Sequence, residues 1–109
     1  MKRGDIVIVA TPVDYGKPRP AVVIQTDALT ELGSQSIALC LMSSTPLKAP
    51  LFRIGLDPTE LNGLDKTSQI LVEKLFSVPR EKIVRTIGRL NDDELVLLNR
   101  TLSFVIGLG

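Results

Sequence analysis

The chain has 109 residues, a formal net charge of +1, one cysteine and no histidine. This length and composition predict one small domain spanning residues 1–109. The lack of histidine excludes a Ser-His-Asp triad and a Cys-His pair. One cysteine without histidine is also too few ligands for the usual zinc site.

The sequence shows neither a secretion signal nor a membrane span. Its first residues lack the apolar core of a signal peptide, and no apolar run approaches the ~18 residues that a span requires. The single cysteine, Cys40, lies in an apolar run and leaves no disulfide framework. We therefore expect a cytoplasmic protein with no membrane contact.

Short β-branched runs separated by turn residues predict a mainly β fold. The first strand is predicted over residues 5–10, and prolines and a glycine predict a loop over residues 11–18. Further strands are predicted over residues 19–26, 36–42, 51–57, 69–78 and 83–90. Asn62-Gly63 predicts a turn within a polar loop over residues 57–67.

Helical segments are predicted at three places. Residues 27–32 fit one helical turn with Asp27 as N-cap, and residues 79–82 fit a second turn. Asn91 and Glu94 match a capping box that opens a C-terminal helix, which Gly107 ends. The apolar positions at helical spacing are Leu95, Leu98, Leu102, Val105 and Ile106. Several short strands and one helix packed on them predict a small β-barrel.

The mean hydropathy of +0.24 is high for a small protein. A chain of this size leaves much apolar surface uncovered by its own core. We therefore expect a homodimer that buries part of this surface, the alternative being an aliphatic-rich core.

Arg19 stands between two prolines at the start of an apolar strand. Pro20 keeps Arg19 out of the α region, and Pro18 has its own φ fixed. The guanidinium is thereby held on extended backbone, and its planar set of donors suits a phosphate. The alternative is a surface arginine in a rigid turn with a loose ion-pair partner.

Hydroxyl and basic side chains accompany Arg19. Ser43, Ser44 and Thr45 follow the third strand, and residues 66–89 hold six basic and two acidic side chains. This set suits cleavage of RNA, which carries its own nucleophile in the 2′-hydroxyl and leaves the protein to stabilise charge on the phosphate. The alternatives are a strand-ending turn and a solvated basic face.

Three segments resemble the MazF/PemK family of toxin–antitoxin ribonucleases. Residues 3–7 (RGDIV) resemble the family's opening strand, and residues 18–27 (PRPAVVIQTD) resemble its second strand. Residues 37–44, followed by residues 68–83 with the Ile-Leu-x-Glu pattern, resemble the remaining core.

The resemblance implies an SH3-like β-barrel with a C-terminal helix, working as a homodimer that cleaves single-stranded RNA without metal or other cofactor. The family's key arginine corresponds to Arg19 and its key threonine to Ser43, so these two are the expected catalytic residues. The expected RNA-binding residues are Lys17, Ser44, Arg53, Glu73, Lys74 and Arg80. The resemblance also implies a cognate antitoxin that inserts an acidic segment into the RNA groove, with operator DNA bound only through that antitoxin.

The chain departs from the family pattern at three places. Ser43 keeps the hydroxyl of threonine but loses its methyl group, the loop over residues 11–17 is short, and Lys74 adds a charge at a usually neutral position. Two other functions therefore stay open. One is a catalytically weak or inactive toxin-like module that binds antitoxin. The other is a CcdB-like gyrase inhibitor, although that family relies on a C-terminal tryptophan that this chain lacks.

Overall fold

The computed structural model describes residues 1–10, 17–45, 47–49 and 51–109. The strands, in chain order, are β1 (Asp5–Ala10), β2 (Pro18–Val23), β3 (Ser36–Ser43), β4 (Arg53–Leu56), β5 (Ser68–Pro79) and β6 (Ile83–Arg89). Helix α1 (Asp27–Glu31) lies between β2 and β3, a 3₁₀ turn (Arg80–Lys82) joins β5 to β6, and helix α2 (Asp92–Val105) follows β6. The loop predicted over residues 11–18 lies outside the described residues, except for Lys17 and Pro18.

All six strands form one antiparallel sheet in the order β4-β5-β3-β2-β1-β6. The predicted mainly β fold with a C-terminal helix is confirmed. Across the described residues the ladder does not close into a complete barrel, because β4 has only four residues and pairs with β5 alone. The loop between β4 and β5 occupies the free edge of β6 instead, where the Arg89 N–H donates to the Leu61 carbonyl at 3.0 Å.

The turn from β2 into α1 corrects two expectations. β2 ends at Val23, three residues earlier than predicted, because the chain turns there to enter the helix. The N-cap residue is Thr26 and the prediction of Asp27 was wrong. The Asp27 carboxylate instead accepts the backbone N–H of Arg3 at 2.7 Å and ties the N-terminal segment to α1.

The sheet buries side chains on both faces. One cluster lies beneath α2 and contains Ile6, Val22, Cys40, Met42, Ile54, Leu56, Leu64, Ile70, Val72, Leu90, Leu98 and Leu102. The other cluster contains Val7, Val9, Ala21, Val23, Ile37, Leu39 and Val78. The β3–β5 register shifts between Cys40 and Met42, so the long strand β5 contributes to both clusters.

Helix α2 begins with the predicted capping box. The Asn91 side chain accepts the Glu94 N–H, and the Glu94 carboxylate accepts the Asn91 N–H, both at 2.8 Å. Leu98 and Leu102 are buried against the sheet. Ile106 is the last of the apolar positions at helical spacing, but the helix ends at Val105 and Ile106 is half exposed at the C-cap. No helix among the described residues is long and apolar enough to cross a membrane.

Candidate functional site

A pocket of about 190 Å³ opens where β2 begins and β3 ends. Arg19 and Ser43 both line it, so the structure brings together the two residues that the sequence singled out as catalytic. The remaining lining residues are Ile8, Pro20, Met42, Ser44, Leu64, Asp65, Lys66, Ser68 and Ile87.

The prolines beside Arg19 explain why a pocket forms at this point. Pro18 and Pro20 lie in β2 but have no N–H to donate to a neighbouring strand. The first part of β2 pairs with β1, where Arg19 faces Val9, whereas the β2–β3 register begins only at Ala21. Half-buried Arg19 therefore lies on extended backbone beside a gap in the ladder, as the sequence predicts.

Ser43 is held by its position at the end of β3. It faces Gln69 across the β3–β5 pair, and its Oγ accepts the Thr45 N–H at 3.1 Å. The Gln69 carboxamide accepts the Leu47 N–H at 3.0 Å and donates to the Leu47 carbonyl at 2.8 Å. The Thr45 N–H occupies one acceptor position of the Ser43 hydroxyl, and a hydroxyl in that state can still donate its proton to a ligand.

The loop over residues 57–67 forms the opposite wall of the pocket. Buried Asn62 organises it by accepting the N–H groups of Thr59 and Leu64 and donating to the Asp57 carbonyl, at 2.8–3.0 Å. Gly63 has a φ of +67° and lies on the backbone of β6 so closely that an added Cβ would overlap it. A side chain at Gly88 would meet the loop in the same way.

This loop supplies the site residues that sequence reasoning missed. Leu64 and Asp65 reach the pocket because the loop packs on β6, which is a long-range contact, and Ser68 lines the pocket from the first position of β5. The Asn62-Gly63 pair signals a turn, and nothing local in the sequence shows which surface that turn faces. A neighbouring pocket of about 250 Å³ shares Ser43, Ser44 and Ser68 and extends the surface toward Gly55 and Gln69.

Arg53 and Glu73 form a half-buried ion pair outside this pocket. The Nε and Nη2 atoms of Arg53 both contact Glu73 Oε2, at 2.9 and 2.7 Å. The second carboxylate oxygen of Glu73 is buried and accepts no hydrogen bond within the part of the chain that the structure describes. Lys74 follows on β5 and is exposed.

The remaining predicted RNA-binding residues lie at different distances from the pocket. Lys17 is exposed immediately before β2, two residues from Arg19. Arg80 lies beside the opposite end of β3, roughly 23 Å along the strand from Ser43. Its guanidinium donates to the carbonyls of Ser34 and Thr30 at 3.0 and 3.1 Å, so the structure does not bring it to the pocket.

Among the residues that the structure describes, the charged ones lining the pocket are Arg19, Lys66 and Asp65. Cys40 is buried behind this region, where burial raises the pKa of its thiol to about 12; nearby Glu73 adds to this effect and Arg3 opposes it. Cys40 is therefore held as a thiol and is unsuited to nucleophilic attack. The described residues include no group of three or more histidine, cysteine or acidic side chains placed to hold a metal ion.

These features define a class of protein: a small antiparallel sheet with a C-terminal helix and an arginine–serine pocket at one end of the sheet. A family model described as "PemK-like, MazF-like toxin of type II toxin-antitoxin system" matches residues 2–106. The chain belongs to this family.

Curated relatives and solved structures agree with that assignment. A protein of Mycolicibacterium smegmatis named probable endoribonuclease MazF is 36% identical over 110 residues, covering 100% of this chain and 99% of the relative. Endoribonuclease MazF9 of Mycobacterium tuberculosis is 30% identical over 116 residues, covering 99% and 98% of the two chains. A mycobacterial endoribonuclease solved with its cognate antitoxin shares the fold, with a TM-score of 0.84, 14% identity and coverage of 100% and 97%.

Proposed function

We propose that this chain is an endoribonuclease toxin that cleaves single-stranded RNA without metal, by attack of a 2′-hydroxyl on the adjacent phosphate. The observation that carries the proposal is the joint lining of one pocket by Arg19 and Ser43. The names of the two curated relatives, both endoribonucleases that match nearly the whole chain, support the same activity.

The chemistry follows from these two side chains. The Arg19 guanidinium binds the non-bridging phosphate oxygens and stabilises the negative charge that grows on them as the 2′-oxygen attacks. The Ser43 hydroxyl donates a hydrogen bond to one of these oxygens. A bond forms between O2′ and phosphorus and the P–O5′ bond breaks, which leaves a 2′,3′-cyclic phosphate and a 5′-hydroxyl.

The RNA strand extends beyond the central pocket in this proposal. Lys17 and Ser44 contact neighbouring nucleotides, because Lys17 precedes β2 and Ser44 lines both pockets. Arg53, Glu73 and Lys74 form a more distant contact along β4 and β5, with bases read unstacked. Arg80 is left out of this surface, since its guanidinium is engaged with backbone carbonyls.

Two protein partners belong to the same proposal. The first is a cognate antitoxin whose acidic segment covers the basic pocket, which fits the family's place in toxin–antitoxin systems. The second is another copy of this chain, because Leu97, Phe104 and Ile106 expose about half of their surface on and after α2.

Substitution of Arg19 tests the proposed role directly. Arg19→Ala should lower the rate of RNA cleavage by at least about 100-fold with the fold intact, since loss of one charge-stabilising donor costs about that much. Arg19→Lys should recover only part of the activity, because an ammonium lacks the paired donors of a guanidinium. The assay follows cleavage of a long single-stranded RNA, with exposed Arg100→Ala on α2 as the control for loss of one positive charge. A folded Arg19→Ala protein that cuts at the wild-type rate would contradict the proposal.

A further inference from the structure

Asp65 is one of the residues that line the pocket together with Arg19 and Ser43. It is the one carboxylate among the described residues that line this pocket. The chain has no histidine, the usual proton acceptor at such sites.

Attack by a 2′-hydroxyl requires a group that takes its proton. Arg19 and Lys66 are the other charged residues lining the pocket within the described part of the chain, and both are donors that cannot accept a proton while they are protonated. Hydroxyls such as Ser43 and Ser68 are weak acceptors of a full proton. An ionised carboxylate accepts only, and it can act as a general base when it lies beside the reacting group.

The backbone on both sides of Asp65 is fixed by hydrogen bonds. The preceding residue, Leu64, donates its N–H to the buried Asn62 side chain at 3.0 Å. The following residue, Lys66, accepts the Ser68 hydroxyl at 2.9 Å through its carbonyl. The Thr67 hydroxyl donates to the Asp57 carboxylate at 3.0 Å and closes the loop on itself. Asp65 is therefore an exposed side chain on an anchored segment, positioned at the mouth of the pocket.

We propose that Asp65 is the proton acceptor for the 2′-hydroxyl in the reaction assigned above, on which this inference rests. The proton moves from O2′ to a carboxylate oxygen of Asp65 while the O2′–P bond forms. As the P–O5′ bond breaks, a water molecule at the open mouth of the pocket protonates the departing 5′-oxygen. Asp65 then releases its proton to solvent and returns to the carboxylate.

The test compares Asp65→Asn and Asp65→Glu under single-turnover conditions with saturating RNA. We expect the wild-type rate to fall toward acid pH. Asp65→Asn should slow cleavage by about 100-fold, the lower end of general-base effects, and should remove that fall in rate. Asp65→Glu should recover much of the cleavage rate and should again show a rate that falls toward acid pH, called here the acid limb. Both variants should bind an RNA carrying a 2′-O-methyl group at the cleavage site as tightly as the wild type. Glu60→Gln, an exposed carboxylate of the same loop outside the pocket, is the matched control.

The outcomes separate this inference from the function on which it rests. If the wild type cleaves RNA and Asp65→Asn cleaves it within threefold of the same rate, the proton-acceptor role is wrong and the endoribonuclease stands. A slower Asp65→Asn that keeps the acid limb would also overturn the role, since that result indicates only altered charge or structure. If the folded wild type cleaves no RNA, the proposed endoribonuclease function is wrong, and the role of Asp65 that rests on it is wrong as well.

Discussion

At the residue scale, Arg53 and Glu73 show how a charged pair can be structural even where the sequence favours a ligand contact. The Arg53 and Glu73 side chains are 13% and 28% exposed, and two guanidinium nitrogens contact one carboxylate oxygen. Partial burial strengthens such a pair beyond the usual surface value, and two donors fix its geometry. The ion pair between Arg53 and Glu73 therefore joins β4 to β5, independently of any contact that Glu73 makes with RNA.

A double-mutant cycle measures the strength of this pair. Arg53→Met and Glu73→Gln should each lower the free energy of unfolding, and the coupling energy between them should be about 1 kcal/mol. Urea unfolding of the two single variants and the double variant gives this value. The cycle of Glu73→Gln with exposed Lys74→Met serves as the control and should give coupling near zero. If the coupling energy between Arg53 and Glu73 were as small as that between Lys74 and Glu73, the ion pair would not stabilise the fold.

Burial of Cys40 predicts a pH dependence of stability. Its pKa is raised from the ordinary value of 9.0 to about 12, chiefly by desolvation. Below pH 9 both the folded and unfolded states carry the thiol. Above pH 9 the unfolded state releases this proton and the folded state retains it, so the free energy of unfolding falls as pH rises through the alkaline range. Cys40→Ala should be less stable at neutral pH because of the cavity, but should lose less stability between pH 8 and 10. Equal losses in urea unfolding of the two proteins would contradict this account.

At the scale of elements, the loop over residues 57–67 behaves as part of the framework. Asn62 is 1% exposed and satisfies three backbone groups of the loop. The close contact of Gly63 and Gly88 joins the loop to β6 and gives the pocket its second wall. The position of Asp65 and Lys66 thus depends on a buried amide several residues away.

Loss of the Asn62 amide should affect both stability and activity. Asn62→Ala should lower the free energy of unfolding by about 2 kcal/mol, because buried backbone groups lose their partners. Hydrogen exchange at the Leu64 N–H should become faster, and RNA cleavage should slow as the wall of the pocket loosens. Exposed Glu60→Ala in the same loop should change neither property. An Asn62→Ala protein with unchanged Leu64 exchange would show that the loop is held by other contacts.

At the scale of the whole molecule, the sequence predicts individual strands and helices better than it predicts how distant segments pack against one another. Proline chemistry places Arg19 on an extended strand, and the capping box at Asn91 defines where α2 begins. These features are local, and the structure confirms them. The placement of Asp65 in the pocket and of Arg80 against α1 depends on packing between distant segments, which local patterns do not contain. The family is predicted from the three segments that resemble it together, of which residues 18–27 include Arg19, and the family model that matches residues 2–106 confirms that prediction.

The measurement that tests this account most directly uses RNA with one altered nucleotide. The wild-type protein is incubated in EDTA with a single-stranded RNA, the cut sites are mapped, and an oligonucleotide is then made with a 2′-deoxyribose on the 5′ side of one cut. The account predicts discrete cuts in EDTA that carry 2′,3′-cyclic phosphate and 5′-hydroxyl ends, with cleavage abolished at the deoxy position alone. Cleavage that EDTA abolishes, or that continues at the deoxy position, would contradict the 2′-hydroxyl mechanism.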